Sequence, residues 1–277
     1  RPNGRRSDAA RRTTGSQVPA AAVTGELRYA ALQALRAATV DERLRLTRAL
    51  AEGIDACDTT LRLDDPGDVP GRPPRPVLVP PGSLVQRAVG TQEGRCALLH
   101  ALAHIEFNAI GLALDHAWRF AGLPEAYYRD WIEVAIEEGA HFTLLRERLI
   151  AAGHDYGDFP AHDGLWDMAR RTADDVLARM ALVPRTLEAR GLDASPAVRA
   201  KFVAVGDHDS ARVIDRILED EIGHVAVGNR WFRELCGRRG VDPAAAARDA
   251  ARRCGAPRPR GPLNVEARLR AVLALSG

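Results

Sequence analysis

Four glutamates and two histidines recur in this chain in a frame that few folds can accommodate. Glu138 and His141 form one Glu-x-x-His pair, and Glu221 and His224 form a second. Glu106 lies 32 residues before the first pair, and Glu188 lies 33 residues before the second. Residues three apart share a helix face, so each pair can offer one carboxylate and one imidazole to a single ion. The surrounding apolar residues keep helical phase. Leu99, Leu102, Ala103, Ile110 and Ala113 share a stripe with Glu106. Trp131, Val134, Ala135, Phe142 and Leu145 flank the first pair, and Ile214, Ile217, Leu218, Val225 and Trp231 surround the second. The acids are therefore expected to face a core. Buried carboxylates are costly unless paired or bound to metal. A cluster of four repels itself, and two divalent cations would leave it neutral.

The rest of the chain supports helices. Ala, Leu and Arg dominate, all good helix formers, and no strand series is visible. Residues 1–22 read as a disordered tail. Residues 23–89 read as two helices, near 25–38 and 40–56, followed by a proline-rich arm. Asp41 is a plausible cap for the second helix. Pro66, Pro70, Pro73, Pro74, Pro76, Pro80 and Pro81 exclude a helix there and predict an extended arm lying on the domain. Residues 90–240 read as the bundle, with four long helices: about Thr91 to Gly122, Pro124 to Gly153, Gly164 to Arg190 (closed by Gly191) and His208 to Arg239. A short helix is expected after Pro196, and residues 241–277 form a C-terminal extension with one more helix. The first connection is short and makes its helices antiparallel neighbours. The second is longer and suits a crossover, giving the topology of a ferritin-like four-helix bundle.

The expected metal ligands are Glu106, Glu138, His141, Glu188, Glu221 and His224. A Glu from each of two helices and a Glu-x-x-His from each of the others is the set used by di-iron carboxylate bundles. Mixed carboxylate and imidazole donors suit two iron ions, with manganese as the alternative. A ligating histidine usually donates its other N–H to a carboxylate. Glu137 and Asp220 immediately precede the two paired glutamates, and each could serve the histidine of the opposite pair; Asp115 is a further candidate. Pro184, four residues before Glu188, should kink the third helix. The kink either aims Glu188 into the site or takes it away from the metals. His100 and His104 share a helix face but not quite that of Glu106, so a hydrogen-bonded structural or entrance role is expected. Tyr127, Tyr128 and Trp131 read as packing; Tyr127 is about 16 Å along the helix from Glu138.

The motifs Glu138-Gly-Ala-His141 and Asp220-Glu221-Ile-Gly-His224, framed by Glu106 and Glu188, resemble the ferritin-like di-iron carboxylate superfamily. His-Ala-Leu-Ala-His-Ile-Glu (100–106), His-Asp-Tyr-Gly-Asp-Phe-Pro-Ala-His-Asp (154–163), Leu-Val-Pro-Arg-Thr-Leu-Glu-Ala-Arg-Gly-Leu-Asp (182–193) and Gly-Asn-Arg-Trp-Phe (228–232) resemble an uncharacterised bacterial branch of it. The similarity covers about 90–240. In ligand pattern it extends distantly to the di-iron tRNA-modifying hydroxylase. It implies an all-α fold and a di-iron centre, and leaves the substrate open.

The leading expectation is an oxygen-dependent oxidoreductase, a hydroxylase or oxidase, using dioxygen and an external electron donor. No flavin or nicotinamide motif is visible. The alternatives are a ferroxidase or iron-handling protein, or a non-enzymatic metal-stabilised binding module. A homodimer is compatible with either. The formal charge of +2 gives no global field toward nucleic acid or membrane, and the Arg-rich tails lack the interleaved aromatics that would support RNA binding. No apolar run reaches membrane-spanning length, the first twenty residues lack the apolar stretch of a secretory signal, and a cytoplasmic location is the default. Cys57, Cys96, Cys236 and Cys254 form no Cys-x-x-Cys pair. Neither a P-loop nor a Gly-x-Ser-x-Gly elbow is present.

Overall fold

Helices account for the fold of this computed structural model, which describes residues 25–52, 56–256 and 261–274. The expected disordered tail, 1–22, lies outside the described residues. Among those residues no strand forms, and β pairing is limited to isolated bridges at Glu26–Ala56 and Leu78–Ala161. The chain is all-α.

Helices α1 (Leu27–Arg36) and α2 (Val40–Ala49) open the described chain. Thr39, and not Asp41, caps α2: its hydroxyl accepts from the Glu42 N–H, and Asp41 sits one position inside the helix. The proline-rich arm then lies on the helices, and two buried arginines hold it there. Prolines have no N–H to donate, so such a segment carries more acceptors than donors. Arg28 bridges Ala117 O and Trp118 O at the end of α3 to Asp58 O and Leu61 O of the arm. Arg43 joins Leu35 O and Ala37 O, at the end of α1, to Gly71 O. Only glycine fits at 71, because a Cβ there would lie 2.1 Å from Arg36 O.

The first two long helices are α3 (Gln92–Arg119) and α4 (Glu125–Ala151), joined by a short connection and packed along their length. Thr91 caps α3 through the Gly94 N–H. By length and composition α3 could cross a bilayer, which corrects the expectation that no run does so; 72% of its apolar stretch is buried among the other helices. His100 and His104 on α3 pin the following loop. His100 Nε2 accepts from the Gly157 N–H at 2.9 Å. His104 Nε2–H donates to His162 O at 3.0 Å, which leaves Nδ1 to accept from the Tyr156 hydroxyl at 2.8 Å.

The third segment departs most from expectation. It breaks into α5 (Gly164–Arg171) and α6 (Val176–Leu182), because Asp175 turns back to cap α6 through the Leu177 N–H. Beyond α6 the chain passes through a π-helical turn, Val183–Glu188, into α7 (Ala189–Ala204). Neither Gly191 nor Pro196 ends that helix. Proline at 196 cannot donate to Leu192 O, and the Asn264 side chain supplies the missing bond at 3.1 Å. Pro184 sits in the π turn against Gly228 of α8, where a Cβ would come within 2.6 Å of the proline Cβ. Helix α8 (His208–Arg239) packs on α7, α4 and α6, and ends at Gly240 with φ 62°. The tail adds α9 (Pro243–Arg253) against α6 and α10 (Val265–Leu273) against α8, two helices where one was expected.

Candidate metal centre

Helices α3, α4 and α8 each turn an acidic residue into the core. Glu106 is 6% exposed, Glu138 1% and Glu221 7%, with His141 and His224 each at 1%. Glu106, Glu138, His141 and Glu221 each place one donor atom within 4.8 Å of all the others. Around an ion with bonds of roughly 2.1 Å, opposed donors lie about 4.2 Å apart, so small side-chain shifts would close this group on a cation. The apolar residues expected on the same faces, among them Ala103, Ile110, Ala135, Phe142, Ile217 and Val225, are buried.

Glu138 is the centre of the arrangement. Its Oε1 is 3.0 Å from His224 Nδ1 and its Oε2 is 3.3 Å from His141 Nδ1. One carboxylate thus addresses both imidazoles, a different oxygen toward each. Glu106 Oε2 is 3.7 Å from His141 Nδ1, and Glu221 Oε1 is 3.5 Å from His224 Nδ1. The imidazole rings lie 5.6 Å apart. Each ring uses its outer nitrogen elsewhere. His224 Nε2 meets Glu137 Oε2 at 2.7 Å, and His141 Nε2 meets Asp220 Oδ2 at 3.0 Å. The acid before each paired glutamate therefore reaches the histidine of the other helix. With Nε2–H donating outward, the neutral tautomer directs the Nδ1 lone pair inward.

Two buried polar atoms here have no hydrogen-bond partner: His224 Nδ1, whose approach to Glu138 lacks hydrogen-bond geometry, and Glu188 Oε2. A bound ion or a water molecule would satisfy buried atoms of this kind. Glu188 ends the π turn and is partly exposed, yet that oxygen is fully buried. It stands outside the four-residue group, close enough for Glu138 and Glu221 to act on its charge. Asp115 takes no part. It is fully buried, pairs with the buried Arg179 and the part-exposed Arg119, and accepts from the Trp118 indole at 3.1 Å. It was a further candidate to back a ligating histidine, but its carboxylate is taken up by the two arginines.

Charge in the cluster is unbalanced without a cation. Burial and the nearby Glu138 charge push Glu106 well above the usual carboxylate range, and raise Glu221 in the same way. Burial, then Glu138 and Glu221, push Glu188 up to about 8. Burial also acts on Glu138, but His224 and His141 hold it below its ordinary value. Burial disfavours the charged imidazoles, and their carboxylate neighbours outweigh it: His141 is raised to about 11 and His224 well above its ordinary value. Protons thus stabilise the cluster where cations would otherwise do so. The donors present fit a metal: carboxylates and imidazoles, buried, inward-facing and oriented by outer hydrogen bonds.

Residues 36–276 match the family described as protein of unknown function, DUF455. The chain belongs to the DUF455 family. A protein of Haemophilus influenzae described as uncharacterized is 46% identical over 222 residues, which cover 76% of this chain and 77% of that one. No solved structure matches the chain. In this DUF455 protein, the buried Glu/His group could hold a metal ion.

Proposed function

We propose that this DUF455 protein is a ferritin-like four-helix bundle holding two iron ions, and that it acts as an oxygen-dependent oxidoreductase. One observation carries the reading. Glu138 lies between two inward Nδ1 atoms and directs a separate oxygen to each, so this carboxylate and both imidazoles would be in reach of bound cations. Glu106, His141, Glu221, His224 and Glu188 would complete the ligand set, and the four glutamates would balance two divalent charges. Bound iron would supply the reduction of dioxygen, with electrons from an external donor.

The chain's own residues set the conditions. Glu137 and Asp220 orient the two imidazoles and raise their basicity as ligands. Burial acts against the charge on Asp220, but His141 and then Arg216, which donates to it at 2.7 Å, hold that acid below its ordinary value. Glu188, on a π turn and with an unpaired oxygen, has the freedom to shift its carboxylate. The buried apolar faces of α3, α4 and α8 exclude bulk water.

The test is metal analysis of anaerobically purified protein, followed by oxygen uptake after iron loading and reduction. Two irons per chain and oxygen consumption support the proposal. Iron loading with no oxygen uptake would remove the oxidoreductase reading and keep the metal centre. Manganese alone in the purified protein would change the metal assignment. Retained metal stoichiometry in Glu138→Ala would refute the site.

A further inference from the structure

The two arginines that hold the proline-rich arm differ in one respect. Arg28 uses Nε and both terminal nitrogens on four carbonyls. Arg43 spends its bonds through Nη2 alone, and its Nε is buried without a partner. Arg43 is 2% exposed, and no carboxylate pairs with it among the described residues. The Phe107 ring, 4.7 Å from the guanidinium carbon, and the carbonyls at the end of α1 offset only part of its charge. A buried charge without a counter-ion is strongly unfavourable.

Arg43 borders a cavity of about 20 Å³ under the arm. Arg72, His104, Asn108 and Tyr156 contribute to its wall, and none of its lining residues is acidic. Arg72 pairs with Asp163, but Asp163 also pairs with Arg170. His104 is neutral, with a pKa lowered to about 4 by burial despite its bond to His162 O. The groups around the cavity therefore carry excess positive charge. The cavity is small and roofed by Pro70, Gly71, Pro73 and Pro76 of the arm, which favours one small ion over a bulky one.

We propose that this cavity binds a single monovalent anion of halide size, chloride in the cell, which neutralises Arg43 and seats the arm. It is separate from the metal centre and does not rest on that assignment.

The test compares the full chain in sodium chloride, sodium bromide and sodium gluconate at equal ionic strength. Chloride and bromide should raise the melting temperature by several degrees over gluconate, saturably. Arg43→Met should abolish the difference. Arg72→Met, which leaves the Arg43 carbonyl bonds intact, should weaken the halide dependence about tenfold even if the first variant does not fold. Bromide-soaked crystals should show an anomalous peak within hydrogen-bond distance of Arg43 Nε. Equal melting in all three salts, an undiminished halide effect in Arg72→Met, or no peak at Arg43 would overturn the proposal.

Discussion

Metal uptake should expel about four protons near pH 7. In the metal-free centre His141, at about 11, and His224, raised well above its ordinary value, both hold a second proton. Glu106 is pushed well above the carboxylate range, and Glu188 lies at about 8, so at pH 7 it is roughly nine-tenths protonated. A loaded centre needs these carboxylates ionised and both imidazoles neutral. Each expelled proton makes affinity rise tenfold per pH unit, worth about 1.4 kcal/mol, so four give roughly 5–6 kcal/mol per unit. Anaerobic calorimetry with ferrous iron in buffers of different ionisation enthalpy counts the protons directly. Glu188→Gln has no proton to lose there and should reduce the count by about one. One proton or fewer in the wild-type protein would refute the charge assignment of the cluster, whatever the metal affinity.

Three further outcomes are expected. Asp220→Asn removes the carboxylate behind His141 and should weaken metal binding about 10- to 100-fold with little change in fold, measured by competition with a chelator and by circular dichroism. Gly228→Ala drives a methyl into Pro184 and should destabilise by about 1–3 kcal/mol in urea titrations, unless the π turn relaxes. His100 is lowered to about 4, first by burial and then by His104, and its Nε2 must stay unprotonated to accept from Gly157. Its contribution is present above the ordinary pKa near 6.5 and is lost as pH falls toward 4. Proteolysis at the 154–163 loop should therefore increase over that range in the wild type, and His100→Gln should be cut already at neutral pH.

The sequence discloses what depends on local period. Core-facing stripes placed Glu106, Glu138 and Glu221 on buried faces, and the spacing of Glu137 and Asp220 suggested which histidine each could reach. Chain breaks were harder to read. Gly191 looks like a helix stop and Pro196 like the start of another helix, yet α7 runs through both, and Asn264, about seventy residues away, supplies the bond that Pro196 removes. The break before α6 had a local signal, since Asp175 precedes an apolar run as a cap should, but the longer helical pattern masked it. Pro184 announced a disturbance without its form. A π turn and a kink remove the same hydrogen bond, and the residue that packs on Pro184, Gly228, lies in another helix. Asp115 was misassigned because Arg179, its buried partner, is distant in sequence. The unpaired Nε of Arg43 has no sequence signature at all.

The reciprocal bonds behind the two histidines also act as a ruler. Positions 137 and 141 of α4 meet positions 224 and 220 of α8 in reversed order, so the two helices are measured against each other at two points about one turn apart. Sliding one helix along the other displaces both contacts by the same amount, and neither can relax at the other's expense. The same two bonds that orient the imidazoles therefore also fix the axial alignment of α4 against α8.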